Sequence, residues 1–369
     1  MKIVIPCYNE PEALLTLRSL WACERGNFKV EIIVVVNSYL ISPESIRQQN
    51  RRTFNELVCF AEKRNTPRFY LTPLFIENLP GRQTGAGLPR KIGMDEAVIR
   101  FKKEDNPKGI IVSLDADCTV KSNYLIEIHS HFKKYKLKSA TIEFHHPMEH
   151  LDKENEIRKA TEAYETYLRY YRAALEYTGY PYSYYTIGSA FAVTVQSYVQ
   201  AGGMGKQQAG EDFYFLQKIF PLGKTCFIDT TCVFPAARIS DRVPFGTGPA
   251  INKMIEEKQT KKQSYQIAAF TELKLLFDKI DSFFKKPSME IEQEISNLPS
   301  HFQAFLKEDD FLNKIAEINR YTAHAVNFKK RFFSYFTAFK ILKYLNYVHP
   351  YPYEWADASE SLKILRLLS

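Results

Sequence analysis

The chain has 369 residues, a mass of 42.9 kDa and a net charge of +8, with 45% hydrophobic and 25% charged side chains. This composition is that of a globular protein and excludes general disorder. The length predicts one large α/β domain with a helical addition, or two domains. Because the positive excess is spread along the chain and not gathered in a tail, we expect no nucleic-acid partner.

The sequence shows no sign of a membrane span or a signal peptide. Its apolar runs, such as 32–36 and 110–114, are far shorter than the roughly 18 residues that a span needs. The six cysteines form no C-x-x-C pair, which favours reduced thiols over a disulfide or zinc framework. We therefore expect a cytoplasmic location, with the inner face of the membrane as an alternative.

Predicted strands and helices alternate through the first 120 residues. β-branched runs indicate buried parallel strands, and the helices between them have apolar residues at helical spacing. In chain order the predictions are strand 2–7, a helix from Pro11, strand 30–36, helix 43–65, strand 69–76, a glycine-rich loop at 81–87, helix 89–103 and strand 109–114. This order predicts a doubly wound α/β sheet, in which ligands bind beyond the carboxyl ends of the strands.

The pattern changes further along the chain and becomes mostly helical after residue 250. Before that point the predictions are helix 122–135, a strand through Phe144, helix 152–177, strand 185–194, helix 211–220, strands near Cys226 and Cys232, and a loop at 240–248. We therefore predict a domain at 1–248, with a ligand-binding half at 1–120 and a second half at 121–248. A helical region would follow at 249–369.

Two carboxylates follow the predicted fourth strand, in the sequence Ile110-Ile-Val-Ser-Leu-Asp-Ala-Asp117. Alternate side chains of an extended strand share a face, so Asp115 and Asp117 are expected to point into one cleft. Their mutual repulsion favours a cation there, and Mg²⁺ or Mn²⁺ accepts such oxygen ligands while bridging to phosphate. The structural alternative is a capping turn between strand and helix.

Two other segments carry candidate functional groups. The first strand ends in Val4-Ile-Pro-Cys-Tyr-Asn-Glu-Pro11, which offers Tyr8 for stacking on a flat ring and a helix N-terminus for an anion. Glu211 and Asp212 begin a predicted helix after a glycine-rich segment, where the helix N-terminus stabilises a carboxylate. The structural alternatives are a simple strand-to-helix turn and a plain helix cap.

Together these segments resemble the inverting glycosyltransferases of family 2, which have the GT-A fold, over roughly residues 1–245. The matching segments correspond to the family's P-x-Y-N-E opening, its basic helix, its D-x-D, its acceptor-side strand and its E-D pair. They are Ile5-Pro-Cys-Tyr-Asn-Glu10, Gly87-Leu-Pro-Arg-Lys-Ile-Gly-Met-Asp-Glu-Ala97, Asp115-Ala-Asp117, Ile187-Gly-Ser-Ala-Phe-Ala-Val193 and Gly210-Glu-Asp212.

The resemblance implies a role for each matching position. Asp212 would be the general base, with Glu211 beside it, and Gly188 and Ser189 would lie on the acceptor side. The metal would bind Asp117, with Asp115 holding ribose or metal-bound water. The donor-binding positions would be Pro6, Tyr8, Glu10, Asn37, Arg90, Lys91, Asp115, Ala116 and Arg242.

The chain departs from the family at two points. The nucleoside strand of the family often ends in Asp, whereas this one ends in Asn37, whose amide both donates and accepts; the base therefore stays open. Many relatives also supply a metal-binding His after the base helix. Here the segment 238–248 stands in that place, so Asp241 becomes a candidate metal ligand and Arg242 a candidate partner of the diphosphate. The alternative for this segment is a surface loop.

The resulting hypothesis is a metal-dependent inverting glycosyltransferase with Mg²⁺ or Mn²⁺ as cofactor. Its partners would be a nucleoside-diphosphate sugar and a glycan or lipid-linked acceptor of a surface polysaccharide pathway. One alternative is a sugar nucleotidyltransferase, which needs a glycine-rich basic loop where this chain has Tyr8-Asn9-Glu10. The other is a catalytically inactive nucleotide-sugar-binding module.

Aromatic residues are unusually frequent and concentrate in two further regions, at 164–185 and 328–347. The tyrosines of the first region are expected to divide between packing and a sugar platform. The second region mixes Phe with Lys and Arg, which fits either a packed helix with a solvated basic face or a peripheral contact with an anionic membrane.

Overall fold

The computed structural model describes residues 1–80, 85–149, 151–205, 210–238, 247–257, 259 and 261–368. The chain forms two compact units. One, which we call the sheet unit, comprises Met1–Thr161 and Tyr184–Lys258; the other, the helical unit, comprises Glu162–Ser183 and Gln259–Ser369. Residues 162–183, which the sequence analysis assigned to the half at 121–248, therefore belong to the helical unit.

The sheet unit alternates strands and helices in the predicted manner. Its strands are β1 (Lys2–Cys7), β2 (Val30–Tyr39), β3 (Phe69–Leu79), β4 (Ile110–Ser113), β5 (Cys118–Val120), β6 (Ser139–Phe144), β7 (Phe191–Thr194) and β8 (Thr225–Pro235). Its helices are α1 (Ala13–Trp21), α2 (Glu44–Arg64), α3 (Gly87–Lys103), α4 (Tyr124–Tyr135), the first part of α5 (Glu156–Tyr177), α6 (Val195–Gln200), α7 (Glu211–Ile219) and α8 (Thr247–Glu256).

The strands lie side by side in the order β3-β2-β1-β4-β7-β6-β8-β5. The first four are parallel, β7 runs antiparallel between β4 and β6, and β5 runs antiparallel to β8. The predicted fold class, a doubly wound mixed sheet followed by a mostly helical region, is confirmed. Because β1, β2 and β4 are parallel neighbours, their carboxyl ends meet at one edge.

The core of the sheet unit follows from its β-branched strands. Every residue of β1 and β2 is buried, as expected for central strands that are covered on both faces. Helix α3 approaches this sheet closely at Gly93, where an added Cβ would lie 2.4 Å from Val4 Cγ1. Glycine at this position therefore lets α3 pack closely against β1 and β2.

Strand β7 begins later than the sequence predicts, at Phe191 instead of Tyr185. The preceding segment is a turn in which the Ala190 amide donates to the Ile187 carbonyl over 3.1 Å. The Gly188 carbonyl accepts from Arg90 and Ser113 side chains, so it does not join a strand ladder. The side-chain contacts of this segment therefore replace the predicted extension of the strand.

The helical unit is held together by aromatic packing. Its helices after the end of α5 are α9 (Ile267–Phe277), α10 (Ser288–Ile295), α11 (Ser300–Glu308), α12 (Phe311–Arg320), α13 (Ala325–Tyr335), α14 (Ala338–Tyr347) and α15 (Ala358–Leu368), with short strands β9 (Gln263–Ser264) and β10 (Ala356–Asp357). Phe277 contacts the rings of Phe332, Phe333 and Phe336 at centroid distances of 5.3 to 6.2 Å.

The Phe side chains of α13 point into this aromatic core, which favours the packed alternative for residues 328–347. On α14, Lys340 pairs with Asp309, so one of its cations is already neutralised. The predicted membrane contact of this region stays a prediction. Within the described ranges, no helix has both the length and the apolar character that crossing a membrane requires.

Candidate functional site

A cluster of charged side chains occupies the edge of the sheet where β1, β2 and β4 end. Glu10 follows β1, Asn37 lies near the end of β2, and Asp115 and Asp117 follow β4. The hydroxyl of Thr16 on α1 donates to the Ala116 carbonyl over 2.7 Å and so fixes the turn between the two aspartates. The predicted donor positions from three separate strands therefore come together at one edge.

Arg90 on α3 is the centre of the cluster and is 3% exposed. Its guanidinium donates to Asp115 Oδ1 over 3.0 Å, to Glu211 Oε1 over 3.2 Å, and to the Ser113 hydroxyl and the Gly188 carbonyl over 2.8 Å each. Burial lowers the pKa of Arg90, but the surrounding carboxylates outweigh burial and raise it. Arg90 thus stays charged and joins the D-x-D segment to the start of α7.

A second guanidinium, that of Arg238, holds the other aspartate of the D-x-D. It donates to Asp117 Oδ2 over 2.8 Å and to Glu10 Oε1 over 3.2 Å, and it also pairs with Glu10 Oε2. Burial and then the nearby Asp115 carboxylate raise the pKa of Asp117, while Arg238 opposes that shift. Each aspartate of the motif therefore has its own arginine.

Asp212 lies in the first turn of α7, which Gly210 begins with a left-handed backbone at φ 69°. Burial raises the pKa of Asp212 to about 7, the adjacent Glu211 adds to the shift, and Arg90 opposes it. Glu211 is the partner that Arg90 binds directly. The pair is therefore asymmetric, since a guanidinium holds Glu211, whereas burial raises the pKa of Asp212.

Asn37 has a fully buried side chain, and neither its amide oxygen nor its amide nitrogen has a hydrogen-bond partner among the described residues. Its backbone carbonyl accepts from Asn50 Nδ2 over 2.7 Å, so the main chain is anchored while the side chain is not. The pairing of β2 with β3 shifts register between Asn37 and Tyr39. Such irregularities occur often beside functional sites, where they turn a side chain.

Tyr8 lies beside this region, half-buried and bonded through its hydroxyl to the Ser42 hydroxyl over 3.2 Å. Its ring meets that of Tyr39 edge-on, with centroids 5.8 Å apart. The Tyr39 hydroxyl donates to the Gly85 carbonyl, and burial raises the pKa of Tyr39 to about 12. The ring contact with Tyr39 and the hydroxyl bond to Ser42 thus hold the Tyr8 side chain in place.

Gly188 and Ser189 lie against the same cluster. A Cβ added to Gly188 would lie 2.7 Å from Arg90 Nη2 and 3.2 Å from Asp212 Oδ2, so only glycine fits. Arg90 Nη2 and Asp212 Oδ2 therefore both lie close to the backbone of Gly188. Ser189 is buried and bonds the thiol of Cys118, next to Asp117.

Other predicted positions are less central. Lys91 pairs with Asp95 on its own helix over 2.7 Å, so it is already neutralised. Pro6 lies within β1, paired with Val35. The candidate positions Asp241 and Arg242 lie outside the described residues. All the binding and catalytic roles given above stay predictions.

Scans against protein-family models and curated proteins gave no match for this chain. Solved structures similar to it include S. aureus TarS residues 1–349. The complex with UDP-GlcNAc has 10% identity, 89% of each chain covered and a TM-score of 0.44. The complex with UDP has 12% identity, coverage of 89% of this chain and 88% of the 1–349 chain, and a TM-score of 0.41.

The chemistry of the donor set fits a divalent cation. Among the described residues, the cluster holds more carboxylates than guanidinium groups. The guanidinium groups are those of Arg90 and Arg238, and the carboxylates are those of Glu10, Asp115, Asp117, Glu211 and Asp212. Carboxylates in such excess suit Mg²⁺ or Mn²⁺, which take one or two of them together with phosphate oxygens. Over the described part of the chain, no three His, Cys, Asp or Glu side chains form a ready metal-binding group.

Sequence reasoning did not assign a role to Arg238, Ser113 or Cys118. Arg238 contacts Glu10 across 228 positions of sequence, and no local pattern signals such a pair. Ser113 precedes the D-x-D by two positions, at the end of a buried strand. A hydroxyl is unusual there, so this position could have been recognised from the sequence.

Proposed function

We propose that this protein is an inverting glycosyltransferase with a GT-A fold, related to family 2. It would move a sugar from a nucleoside-diphosphate sugar to a hydroxyl of a glycan or lipid-linked acceptor. The observation that carries the proposal is that Arg90 bonds Asp115 of the D-x-D and also Glu211, the neighbour of Asp212, whose pKa is raised to about 7.

Asp212 suits the role of general base. A base works best when its pKa lies near the working pH, because it is then both ionised and able to hold a proton. In the proposed reaction the acceptor oxygen attacks the anomeric carbon, and its proton passes to Asp212. The bond from that carbon to the diphosphate oxygen breaks with its electron pair on the leaving group, and the single displacement inverts the centre.

The leaving diphosphate needs positive charge, and Asp115 and Asp117 would hold a divalent cation for it. Mg²⁺ or Mn²⁺, when bound, supplies charge stabilisation to the departing phosphate oxygens. Arg90 keeps the two sides of the site in register, since it bonds Asp115 on one side and Glu211 on the other. Positions fixed in this way stabilise developing charge without reorganisation during the reaction.

Asn37 supports the nucleoside end of the proposal. A buried amide without partners costs free energy in the free protein, and a nucleobase edge would supply one acceptor and one donor to it. Tyr8 adds an aromatic ring near by. The base that binds there is a matter for the experiment below.

The test is a thermal-shift panel of UDP-, GDP-, dTDP- and CMP-sugars, each with Mn²⁺ and with EDTA. A true donor at 100 times its dissociation constant should stabilise the protein by about 2.7 kcal/mol. The donor found is then incubated with candidate acceptors, and the anomeric configuration of the product is determined by NMR. No shift with any donor, or a product with retained configuration, would contradict the proposal.

The same assay separates the proposal from its alternatives. Pyrophosphate released from a nucleoside triphosphate and a sugar phosphate would indicate a nucleotidyltransferase. Donor binding without transfer to any acceptor, and without donor hydrolysis, would indicate a binding module.

A further inference from the structure

Arg238 joins two carboxylates that come from different strand ends. Glu10 follows β1 and is 1% exposed, whereas Asp117 follows β4 and is 30% exposed. The guanidinium contacts both oxygens of Glu10 but only one oxygen of Asp117. The two anchors of Arg238 are thus unequal, with Glu10 as the buried one and Asp117 as the accessible one.

The backbone fixes where Arg238 can reach. The Ala236 amide donates to the Asp117 carbonyl over 3.2 Å, just after the end of β8. Strand β8 in turn pairs with β5 immediately after the D-x-D. Arg238 is therefore delivered to the aspartate by main-chain pairing and does not depend on its own salt bridges for its location.

Asp117 is also the residue to which we assign the cation. Its Oδ2 is taken by Arg238, and among the described residues its Oδ1 accepts from the weak thiol donor of Cys118 at 3.6 Å. A guanidinium and a divalent cation at one carboxylate repel each other and compete for the same oxygens. Binding of the cation at Asp117 must therefore weaken or displace the contact with Arg238.

We propose that Arg238 is an internal counter-ion of Asp117. It neutralises the aspartate before a donor binds, and it moves off Asp117 when a divalent cation arrives, while Glu10 retains it. Its charge then remains beside the diphosphate, so Arg238 is a positioning residue for the donor. This inference rests on the proposed function for its ligand, although the competition with a cation stands on the three side chains alone.

The experiment measures Mn²⁺ binding in the absence of any nucleotide, by electron paramagnetic resonance on the full chain. The variants are Arg238→Gln, which removes the charge, and Arg238→Lys, which keeps it. Arg51→Gln is the matched control, because Arg51 also bridges two carboxylates, those of Glu44 and Glu77, away from the cluster. Unfolding by urea checks that every variant is folded.

Arg238→Gln should bind Mn²⁺ about tenfold more tightly than the wild type, as a change of about 1.4 kcal/mol would give. Arg238→Lys and Arg51→Gln should stay close to the wild type. With EDTA present, UDP should bind more weakly to Arg238→Gln than to the wild type, because one positive charge beside the proposed diphosphate position has been removed. Asp117→Asn should abolish the gain in Mn²⁺ affinity when it is combined with Arg238→Gln.

Equal Mn²⁺ affinity in the wild type and Arg238→Gln would overturn the inference, and so would an equal gain in Arg51→Gln. Failure of the proposed function has a different signature. In that case the change in Mn²⁺ affinity appears as expected, but no nucleotide sugar binds to any variant. A donor that binds and reacts while Arg238→Gln leaves Mn²⁺ affinity unchanged would remove only the counter-ion role.

Discussion

Two buried carboxylate clusters in the described residues, one from each unit, are satisfied very differently. In the helical unit, Glu272 is 4% exposed and accepts from His301 at 2.9 Å, from Tyr353 at 2.5 Å and from Tyr344. The single carboxylate of Glu272 thus accepts from three donors. In the described part of the sheet unit, several carboxylates share two guanidinium groups, and Asn37 has no hydrogen-bond partner for either side-chain amide atom.

The difference separates a structural cluster from a functional one. A fully bonded buried carboxylate stabilises a fold and has no capacity left for a ligand. A cluster with excess charge and an unbonded amide costs stability, and proteins keep such strain where a ligand completes the bonding. Under the proposed function, the Glu272 cluster serves packing and the sheet-edge cluster serves binding.

The largest expected effect is the loss of transfer in Asp212→Asn. Asparagine cannot take the acceptor proton, so kcat should fall by about 10²–10⁴-fold, the usual contribution of a general base. The measurement is the rate of nucleoside-diphosphate release with the donor found above. Asp229→Asn, at an exposed position of β8, is the control and should keep the wild-type rate. A wild-type rate in Asp212→Asn would remove the assignment of the base.

Arg90→Met should destabilise the sheet unit by about 3–5 kcal/mol, because it leaves buried carboxylates without their partner. Urea unfolding measures this loss of stability. Arg51→Met, which removes an exposed ion pair, should cost no more than about 1 kcal/mol. Equal costs for the two variants would show that the contacts of Arg90 are not the centre of the cluster.

Glu272→Gln should lower the stability of the helical unit by about 1–3 kcal/mol, because its donors lose a charged acceptor. The transfer rate per folded molecule should not change. The measurement pairs urea unfolding with the transfer assay at a temperature where the variant is folded. A lower rate in the folded variant would break the comparison, since the Glu272 cluster would then also serve function.

The pH dependence should distinguish the two clusters again. Because the folded-state pKa of Asp212 is raised to about 7, kcat/KM should fall about tenfold per pH unit below that value. The folded-state pKa exceeds the unfolded value of about 3.9, so the folded protein holds the additional proton and its stability decreases as pH rises from about 4 to 7. Asp212→Asn should remove this decrease, whereas Glu272→Gln should leave it.

The smallest expected effects are changes in stability on substitution of Asn37 and Asn50, and the two changes have opposite signs. Asn37→Val removes an unbonded buried amide and should stabilise the protein by about 1 kcal/mol while weakening donor binding. Asn50→Val is the matched control, because its amide bonds the Asn9 amide at 2.8 Å and the Asn37 carbonyl at 2.7 Å, and it should destabilise. Destabilisation of similar size in both variants would show that Asn37 is structurally satisfied.

The sequence predicted the parts of the site that local patterns determine. A β-branched run predicts the central strand at 30–36, and an apolar strand predicts where Asp115 and Asp117 lie. The pairing of β7 between β4 and β6 could not be predicted, because it depends on long-range strand contacts. For the same reason the arginine partner of Asp117 was missed, since 121 positions separate it from Asp117.

The antiparallel strand β7 has a further consequence for how the site can vary. On its donor side, the site is built from residues that leave strands β1, β2 and β4, and on its other side from Gly188 and Ser189, which enter β7. The two walls therefore come from loops that share no residue, and Arg90, Ser113 and Cys118 link them to each other. Under the proposed function, substitutions in the entry to β7 would reshape the acceptor wall while the donor wall stays in place, so acceptor choice would diversify without rebuilding the rest of the site.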